Sequence, residues 1–396
     1  MTDAPERVYL DHAATTPMLP EAIETMTALL GRVGNPSSLH ASGRDARRVV
    51  EESRERIAQS LDCRPGEVVF TSGGTEADNL ALKGVHWARN GAAAVRTRIL
   101  TTAVEHHAVL DPLHWLAERG AAVELLPVDA SGRLDLDAFE ASIEADPDSV
   151  SLASVMWANN EVGTVQPVAE VVEIAHRHGI PVHTDAVQAI GILPVAFAAS
   201  GVDALTLTGH KVGGPFGVGA LVVRRELAVV PLVHGGGQER DVRSGTIDAP
   251  AIAGFARAVE ASVADQQKRA AHLAELRTEL VRRVLAAVPD VQVSGQAAEL
   301  LPGHAHLRFP GCEGDSLLML LDAQGIECST GSACNAGVPQ ASHVLLAMGC
   351  SEAEARSSLR FTLGHTSTAH DVERLAAAIG PAVERARAAA QPRGLR

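Results

Sequence analysis

Between about residue 65 and residue 225, short apolar runs alternate with longer stretches in which apolar residues recur at helical spacing. The short runs have the length and composition of strands buried on both faces. Repeated strand–helix units of this kind predict an α/β fold whose mostly parallel sheet is covered by helices. The predicted strands are Glu67–Phe70, Arg98–Thr102, Val123–Val128, Val150–Met156, Pro181–Asp185 and Ala204–Thr208. The predicted helices between them are Thr75–Asn90, His107–Arg119, Leu136–Glu144 and Val168–His178.

A second, smaller α+β unit is predicted after this region, because 396 residues exceed what one ordinary core accommodates. A polar-faced stretch from Thr246 to about Ala287 is interpreted as helix that crosses to this unit. Its predicted strands lie near His304–Phe309, Ile326–Ser329 and Ser358–Leu363, and its predicted helices at Gly314–Ala323 and Ala369–Ala388. We expect a large domain over residues 15–255 and a small domain formed by residues 1–14 and 256–396.

Charge and cysteine content exclude several classes of protein. The net charge of −14 opposes binding to nucleic acid or to an anionic membrane. The acidic N-terminal residues lack the apolar core of a signal peptide, and no uncharged apolar run approaches the ~18 residues of a spanning helix. The five cysteines are few, odd in number and scattered, so we expect no disulfide framework and a reducing cytoplasm.

The strongest local signal is a lysine directly after a buried strand. Lys211 ends the run Thr208-Gly209-His210-Lys211 and precedes Gly213-Gly214-Pro215. Burial disfavours the ammonium form, so a lysine placed here is suited to form a Schiff base. A lone lysine in such a loop is more often an ordinary surface residue, and the interpretation therefore depends on its partners.

The first of these partners is Asp185, which ends the strand Pro181–Thr184. A carboxylate at this edge can pair with the pyridine nitrogen of pyridoxal phosphate and keep it protonated. Gln188 would then bond the phenolic oxygen of the same ring. An Asp that only caps a helix is the equally probable alternative when the residue is taken alone.

Two further strand ends carry polar residues. Thr71 to Glu76 runs from a strand into a helix, where free N–H groups and the Thr75 hydroxyl can bind a phosphate, although a plain capping turn has the same pattern. Glu105-His106-His107 offers an imidazole that can stack on a planar cofactor and move protons. Paired histidines can also bind metal, but no cysteine or carboxylate lies at zinc-ligand spacing, so we predict no metal site.

The last element is the segment of small and polar residues around Cys334, within about residues 328–342. This composition predicts an exposed, mobile thiol, whereas Cys328 ends an apolar strand and is expected to be structural. Arg360 can bind a substrate carboxylate through two hydrogen bonds, and an inter-domain salt bridge is its alternative.

Together these residues resemble the cysteine desulfurases of the fold-type-I pyridoxal-phosphate superfamily, in the class-V aminotransferase family, in the group with a long, mobile loop around the catalytic cysteine. The resemblance extends from about residue 8 to 365. The matching stretches are Tyr9 to Thr16, Gly34 to Ser38, Thr71 to Asn79, Glu105-His106, Asn159 to Gly163, Asp185 to Gln188, Gly209 to Lys211, His234 to Arg240, Arg243 to Thr246 and Ser329 to Cys334.

The resemblance implies a seven-stranded sheet in the large domain and a role for each matching residue. Lys211 forms the Schiff base with pyridoxal phosphate, Asp185 and Gln188 bind the ring, and His106 stacks on it. The other implied cofactor ligands, which include the phosphate ligands and a threonine from the neighbouring subunit of a homodimer, are Gly74, Thr75, Asn160, Thr208, His210 and Thr246.

The resemblance also implies the reaction. Arg360, Asn160 and Asn35 face the substrate L-cysteine, and Cys334 takes its sulfur as a persulfide while L-alanine is released. A mobile loop then passes the sulfur to an acceptor, which is an iron–sulfur scaffold, a tRNA-thiolating enzyme or a biosynthetic carrier. We expect Lys211 to move the substrate proton and His106 to assist proton transfer from the thiol.

Three other interpretations remain open from the sequence. Selenocysteine lyase or an aminotransferase would use the same cofactor residues, although an aminotransferase needs no loop thiol. A non-catalytic sulfur-relay scaffold would keep only the fold. One departure from the family is local, since many members have proline directly before the serine that follows the catalytic loop. Here Ala341 precedes Ser342, and a proline stands at position 339.

Overall fold

A computed structural model describes residues 7–91, 95–331 and 341–390 of the chain. Its strands, in chain order, are Val8–Tyr9 (β1), Val68–Thr71 (β2), Arg98–Thr102 (β3), Ala122–Leu126 (β4), Val150–Ser154 (β5), Val182–Asp185 (β6), Ala204–Thr208 (β7), Gly219–Val223 (β8), Gln292–Val293 (β9), His304–Arg308 (β10), Ile326–Glu327 (β11) and Ser358–Thr362 (β12).

The helices in the same part of the chain are Pro20–Leu30 (α1), Ala41–Ser60 (α2), Gly74–Asn90 (α3), His107–Ala117 (α4), Leu136–Ala145 (α5), Val168–His176 (α6), Phe197–Ser200 (α7), Ala249–Ala264 (α8), Gln266–Ala287 (α9), Gly314–Asp322 (α10), His343–Ala347 (α11), Glu352–Arg356 (α12) and Ala369–Ala390 (α13).

The central sheet has seven strands in the order β2-β8-β7-β6-β5-β3-β4. All neighbours are parallel except β8, which runs antiparallel to both β2 and β7. The predicted α/β fold and mostly parallel seven-stranded sheet are therefore confirmed. Our strand assignment missed β8 itself, because we considered Gly219–Val223 only as part of the longer apolar stretch from Val218 to Val233.

Two smaller sheets lie outside the central one. Strand β10 pairs antiparallel with both β9 and β12, and the two-residue strand β1 pairs in parallel with β11. The N-terminal strand thus joins the part of the fold that is formed by the C-terminal third of the chain.

Two large hydrophobic clusters match these two groups of elements. The first surrounds the central sheet and includes Phe70, Phe139 and Phe255. The second includes Val8, Phe309 and Phe361, with side chains of α9 and α13. The predicted domain boundaries at residues 15 and 255 stay a prediction, although the first cluster extends through α8 to Val259.

The stretch that we predicted as one helix from Thr246 to Ala287 is two helices. Asp265 ends α8 and precedes α9, and its backbone N–H donates to carbonyls of α8. Buried side chains of α8 belong to the first cluster, whereas those of α9 belong to the second. The helical hydrogen bonding is therefore interrupted at Asp265, between the part of the chain that packs in the first cluster and the part that packs in the second.

The edge of the sheet at which the parallel strands end collects polar residues. Asp185 is the last residue of β6 and Thr208 the last of β7, and α3 begins shortly after β2. Ligand sites in parallel α/β sheets form at this edge. None of the helices within the described ranges combines the length and apolar character that a membrane span requires.

A buried ion pair connects α2 to the edge of the central sheet. Arg54 donates through two guanidinium nitrogens to the two oxygens of Glu239, each at 2.8 Å, and the carboxylate also accepts the N–H of Phe70. The side chains of Arg54 and Glu239 are 7% and 0% exposed. Removal of one partner of such a pair leaves an uncompensated charge in the interior.

We expect Arg54→Met to lower the free energy of unfolding by about 3–5 kcal/mol, because Glu239 would remain buried without a counter-charge. Urea denaturation followed by circular dichroism measures the change. Arg282→Met, which removes one partner of the exposed Arg282–Glu279 pair, is the matched control and should have little effect. Equal effects of the two substitutions would contradict a structural role for the buried pair.

Candidate active site

A cavity of about 370 Å³ opens at the C-terminal edge of the central sheet. This volume is within the range of small-molecule sites. Most residues that the sequence singled out for cofactor or substrate binding line it together: Gly74, Thr75, His106, Asn160, Asp185, Gln188, Thr208, His210, Lys211 and Arg360. The cavity therefore joins residues that are up to 347 positions apart, from Ala13 to Arg360.

Lys211 lies in a short 3-10 turn that follows β7 directly. Its amine donates hydrogen bonds to the carbonyl oxygens of Ala13 and Ala14, the second at 2.7 Å. Burial lowers the pKa of Lys211 to about 8, and the positive charge of Arg360 acts in the same direction. A substantial fraction of this amine is consequently unprotonated near neutral pH, as nucleophilic attack on an aldehyde requires.

Asp185 is buried at the end of β6 and accepts the N–H of Val187 at 2.9 Å. Burial raises the pKa of this carboxyl to about 6, against the opposing effects of the Val187 N–H and the Lys211 charge. Gln188 donates its amide to the Ala13 oxygen at 3.0 Å, which leaves its second N–H for a ligand. A ring that carries an acidic N–H and a phenolic oxygen fits these two side chains.

The start of α3 provides a place for an anion. Gly73 caps this helix without a side-chain hydrogen bond, so the first N–H groups of α3 have no cap from a side chain. A Cβ atom on Gly74 would lie 3.2 Å from Val187 Cγ2, which is why a residue without a side chain stands here. Thr208 and His210 complete this end of the cavity.

His106 caps α4, and its tautomer follows from that position. Ring atom Nδ1 accepts the backbone N–H of Ala108 at 3.0 Å, so the proton of the neutral ring is on Nε2. Desolvation by the surrounding protein lowers the pKa of His106 to about 4, and the charge of Lys211 contributes. The ring is thus neutral at physiological pH and is a donor through Nε2.

Arg360, on β12, is held from two sides. It donates to Asp11 Oδ1 at 2.7 Å and to the backbone oxygen of Asn160 at 2.9 Å, while its Nε has no partner. The guanidinium forms a salt bridge, but Asp11 belongs to the same predicted small domain, so this pair is not the inter-domain bridge of the alternative. Binding of a substrate carboxylate by Arg360 stays a prediction. Asp11 was missed as a partner, although it lies in the matching stretch Tyr9 to Thr16.

Two buried carboxyl groups near the cavity were also missed by sequence analysis. Asp78 Oδ1 and Glu105 Oε2 have no hydrogen-bond partner. Burial raises the pKa of Glu105 to about 8 and that of Asp78 well above its usual range, and the charge of Asp185 contributes in both cases. Both lie in stretches that match the family, Thr71 to Asn79 and Glu105-His106, but we assigned neither a role, because a sequence motif does not show that a carboxyl group is buried.

The structure does not bring every predicted residue to this cavity. Asn35 and Thr246 are exposed and line a separate depression of about 150 Å³ in the same chain. Cys334 lies outside the described residues. Cys328 is partly buried, and burial raises its pKa to about 12, which fits the structural role we expected.

Among the described residues, no group of three or more histidine, cysteine, aspartate or glutamate side chains is arranged to hold a metal ion. The donor set of the cavity instead fits pyridoxal phosphate. Lys211 offers an amine for its aldehyde, Asp185 an acid for its ring nitrogen, and the start of α3 a site for its phosphate.

Comparisons with known proteins agree with this donor set. The profile described as aminotransferase class-V matches residues 8–375. An "IscS-like cysteine desulfurase" of Mycobacterium tuberculosis is 56% identical over 384 residues, which cover 96% of this chain and 98% of that protein. The "Cysteine desulfurase IscS" of Dictyoglomus turgidum is 42% identical over 366 residues, covering 92% and 91% of the two chains.

Solved structures give the same result. A "NifS-like protein" superposes with a TM-score of 0.89 at 35% identity and covers 96% of this chain and 100% of that one. A NifS-like protein from Rickettsia africae superposes with a TM-score of 0.87 at 31% identity, with the same coverage.

The lowered pKa of Lys211 predicts a pH-dependent stability of the protein freed of bound ligands. The unfolded chain holds this proton up to its ordinary pKa of 10.5, whereas the folded chain loses it near pH 8. Folding is therefore penalised below pH 8, and the penalty disappears as the pH rises toward 10.5. Relative to Lys211→Met, the wild type should gain about 3 kcal/mol of unfolding free energy over this window.

Urea denaturation of the two proteins at several pH values between 7 and 10.5 checks this difference. A constant difference across the whole range would show that the amine is not desolvated in the folded chain.

Proposed function

The chain belongs to the aminotransferase class-V family and is a pyridoxal-phosphate-dependent cysteine desulfurase, and on that premise we propose the roles of its individual residues in cofactor binding, substrate binding and sulfur transfer. The observation that supports the assignment most directly is the shared cavity of Lys211, Asp185 and Arg360. One amine, one acid and one carboxylate-binding cation face the same space there.

We propose that Lys211 holds the cofactor covalently and that Asp185 and Gln188 bind its ring. His106 covers the ring, and the start of α3 holds its phosphate together with Thr208 and His210. Bound pyridoxal phosphate supplies an electron-withdrawing ring that stabilises negative charge on the carbon next to the substrate amine. Asp185 supports this function when ionised, and its pKa of about 6 leaves it mostly ionised at neutral pH.

Arg360 is proposed to bind the carboxylate of L-cysteine. Its Nε has no partner in the free chain, and its other nitrogens are already oriented by Asp11 and by the Asn160 carbonyl. A guanidinium fixed in this way loses little further freedom when a carboxylate binds it through two parallel hydrogen bonds.

Proton transfer is assigned to two residues that border the cavity. Lys211, with a pKa of about 8, can accept the Cα proton of the substrate and return it within the same turnover. His106 acts as a donor at Nε2, because its Nδ1 already accepts the Ala108 N–H. The expected part of His106 in proton transfer from the thiol stays a prediction.

Cys334 is proposed as the residue that receives the sulfur. Its thiolate forms an S–S bond with the substrate sulfur, the C–S bond breaks, and the electron pair stays on Cβ, which takes a proton to give L-alanine. The chain length allows this contact. Gly331 lines the Lys211 cavity, and three peptide units reach at most roughly 11 Å from it.

A homodimer is proposed because two matching residues are unused within one chain. Asn35 and Thr246 are exposed and distant from the Lys211 cavity of their own subunit. In a symmetric dimer they would reach the cavity of the neighbouring subunit, where Thr246 would bind the cofactor phosphate and Asn35 would face the substrate.

The acceptor of the persulfide sulfur is proposed to be another protein, either an iron–sulfur scaffold or a tRNA-thiolating enzyme. We also propose a cytoplasmic location. Cys63, Cys312, Cys328 and Cys350 are free thiols in the described structure, as a reducing compartment would keep them.

Cys334→Ala should retain the visible absorbance of the bound cofactor and its change on addition of L-cysteine, but it should lose sulfide release and persulfide formation. The reason is that Cys334 acts after substrate binding. Cys328→Ala is the matched control and should retain activity, since that thiol is partly buried with a raised pKa. Full turnover of L-cysteine by Cys334→Ala would overturn the assignment.

Hybrid dimers test the contribution of Thr246 across the interface. Lys211→Ala lacks the cofactor amine, and Thr246→Glu places a negative charge where the phosphate would bind, so each variant alone should be inactive. In a mixed dimer, one cavity combines an intact Lys211 with an intact Thr246, and random exchange should restore about a quarter of the wild-type activity. No recovery after verified subunit exchange would show that Thr246 acts within its own chain.

A further inference from the structure

Both ends of the segment 332–340 lie against the same buried carboxylate. Gly331, the last described residue before the segment, has a φ of +85°, and a Cβ atom placed on it would lie 3.2 Å from Glu161 Oε2. Ser342, two residues after the segment, donates its hydroxyl proton to the same Oε2 at 2.5 Å. One oxygen of Glu161 is therefore next to the chain on both sides of the segment that carries Cys334.

Ser342 uses its hydroxyl twice. The oxygen accepts the N–H of Leu345 at 3.2 Å and so caps α11, while the hydrogen is donated to Glu161. Both side chains are buried, with exposures of 1% for Ser342 and 2% for Glu161. An alanine at position 342 would remove both bonds and leave the carboxylate without this donor.

Glu161 is itself fixed by the turn that contains it. Asn159 Oδ1 accepts the N–H groups of Glu161 and Val162, each at 2.9 Å, and the amide of Asn159 donates to the Val104 oxygen at 2.9 Å. The next residue in the turn, Asn160, accepts a hydrogen bond from Arg360 through its carbonyl oxygen. The carboxylate that borders both segment ends thus belongs to the turn that orients the carboxylate-binding arginine.

The residues before the segment are also held by backbone hydrogen bonds to β12. Ser329 exchanges two backbone hydrogen bonds with Arg360, at 2.7 and 3.2 Å, and its hydroxyl accepts the N–H of Gly331. His306 is adjacent to Gly331. Its Nε2 is buried without a hydrogen-bond partner and would lie 3.6 Å from a Cβ atom placed on Gly331. A side chain at position 331 would therefore compete with Glu161 and His306 for the same space.

Ala341 and Ser342, the residues directly after the segment, have no comparable restriction of the backbone among the described residues. Ala341 does not restrict φ as a proline would. Apolar contacts of Val344 and Leu345 with Val104, Met156 and Val162 hold α11 itself. Ala341 packs against the same apolar cluster, and the bond of Ser342 to Glu161 adds a polar contact between Ala341 and these residues of α11.

We propose that Glu161 is a positioning residue for sulfur transfer, because its carboxylate accepts the Ser342 hydroxyl just after the segment that carries Cys334 and lies next to Gly331 just before it. This proposal rests on the role of Cys334 proposed above. Contacts on both sides of Cys334 set the end points of the nine-residue segment 332–340. Glu161 also lines the Lys211 cavity, so its effect on sulfur transfer is tested through Ser342, whose hydroxyl it holds.

The test compares two steps of the holoenzyme with L-cysteine. The first step is substrate binding, which is monitored by the change in cofactor absorbance. The second step is persulfide formation on Cys334 in a single turnover, which is measured by alkylation and mass spectrometry. Ser342→Ala should leave the first step unchanged and slow the second on the order of tenfold, the effect of losing a hydrogen bond to a charged group. Ser342→Thr keeps the hydroxyl and should restore the rate.

Ser351→Ala is the matched control. Ser351 caps α12, a five-residue helix like α11, but its hydroxyl bonds only within its own capping box with Glu354. It should not slow persulfide formation. Glu161→Gln should slow the second step a few-fold in the wild type and have no further effect in Ser342→Ala, since both substitutions act on the same bond.

The proposal is wrong if Ser342→Ala forms persulfide at the wild-type rate, or if Ser342→Ala and Ser351→Ala slow persulfide formation equally. It is also wrong if Ser342→Ala loses the change in cofactor absorbance to the same extent as persulfide formation, because that result indicates a purely structural role. Thermal unfolding of each variant confirms that the assays report on folded protein. Cys334→Ala separates this proposal from the one beneath it. If Cys334→Ala still forms persulfide, the proposed role of Cys334 is wrong. If Cys334→Ala loses persulfide formation while Ser342→Ala forms persulfide at the wild-type rate, only the proposed role of Glu161 is wrong.

Discussion

The active site depends on the desolvation of one amine. Lys211 can be partly neutral at physiological pH only because protein surrounds it and because Arg360 adds a second positive charge nearby. The backbone carbonyls of Ala13 and Ala14 accept its hydrogens, so the amine is shielded without being left unpaired. An enzyme that attacks an aldehyde at neutral pH needs this combination, and most lysines on a protein surface lack it.

Burial also raises the pKa values of three acidic residues around the cavity. Asp78, Glu105 and Asp185 all have raised pKa values, but that of Asp185 reaches only about 6 because the Val187 N–H and the Lys211 charge oppose desolvation. Burial and the charge of Asp185 both disfavour the ionised forms of Asp78 and Glu105, which lowers the repulsion among three carboxyl groups in a small volume.

The reacting groups come from both hydrophobic clusters. Lys211 and Asp185 follow strands of the central sheet, whereas Arg360 belongs to β12, whose neighbours pack in the second cluster. Asp11 and the Asn159–Glu161 turn connect the two groups through Arg360 and Ser342. Arg360 and Ser342 are therefore held by one connected set of contacts.

The sequence by itself determined the α/β class, most of the strands and helices, and the residues Lys211, Asp185, His106 and Arg360, because strand ends and short motifs are local signals. It could not show β8, the break at Asp265, or Asp78, Glu105, Glu161 and Asp11 as neighbours of the site. These depend on contacts between distant residues, such as Arg360 with Asp11, 349 positions apart. Only the tertiary structure decided which carboxylates are buried, which histidine nitrogen carries a proton, and which residues of one chain stay outside its own cavity, because desolvation and hydrogen bonding depend on what packs around a group.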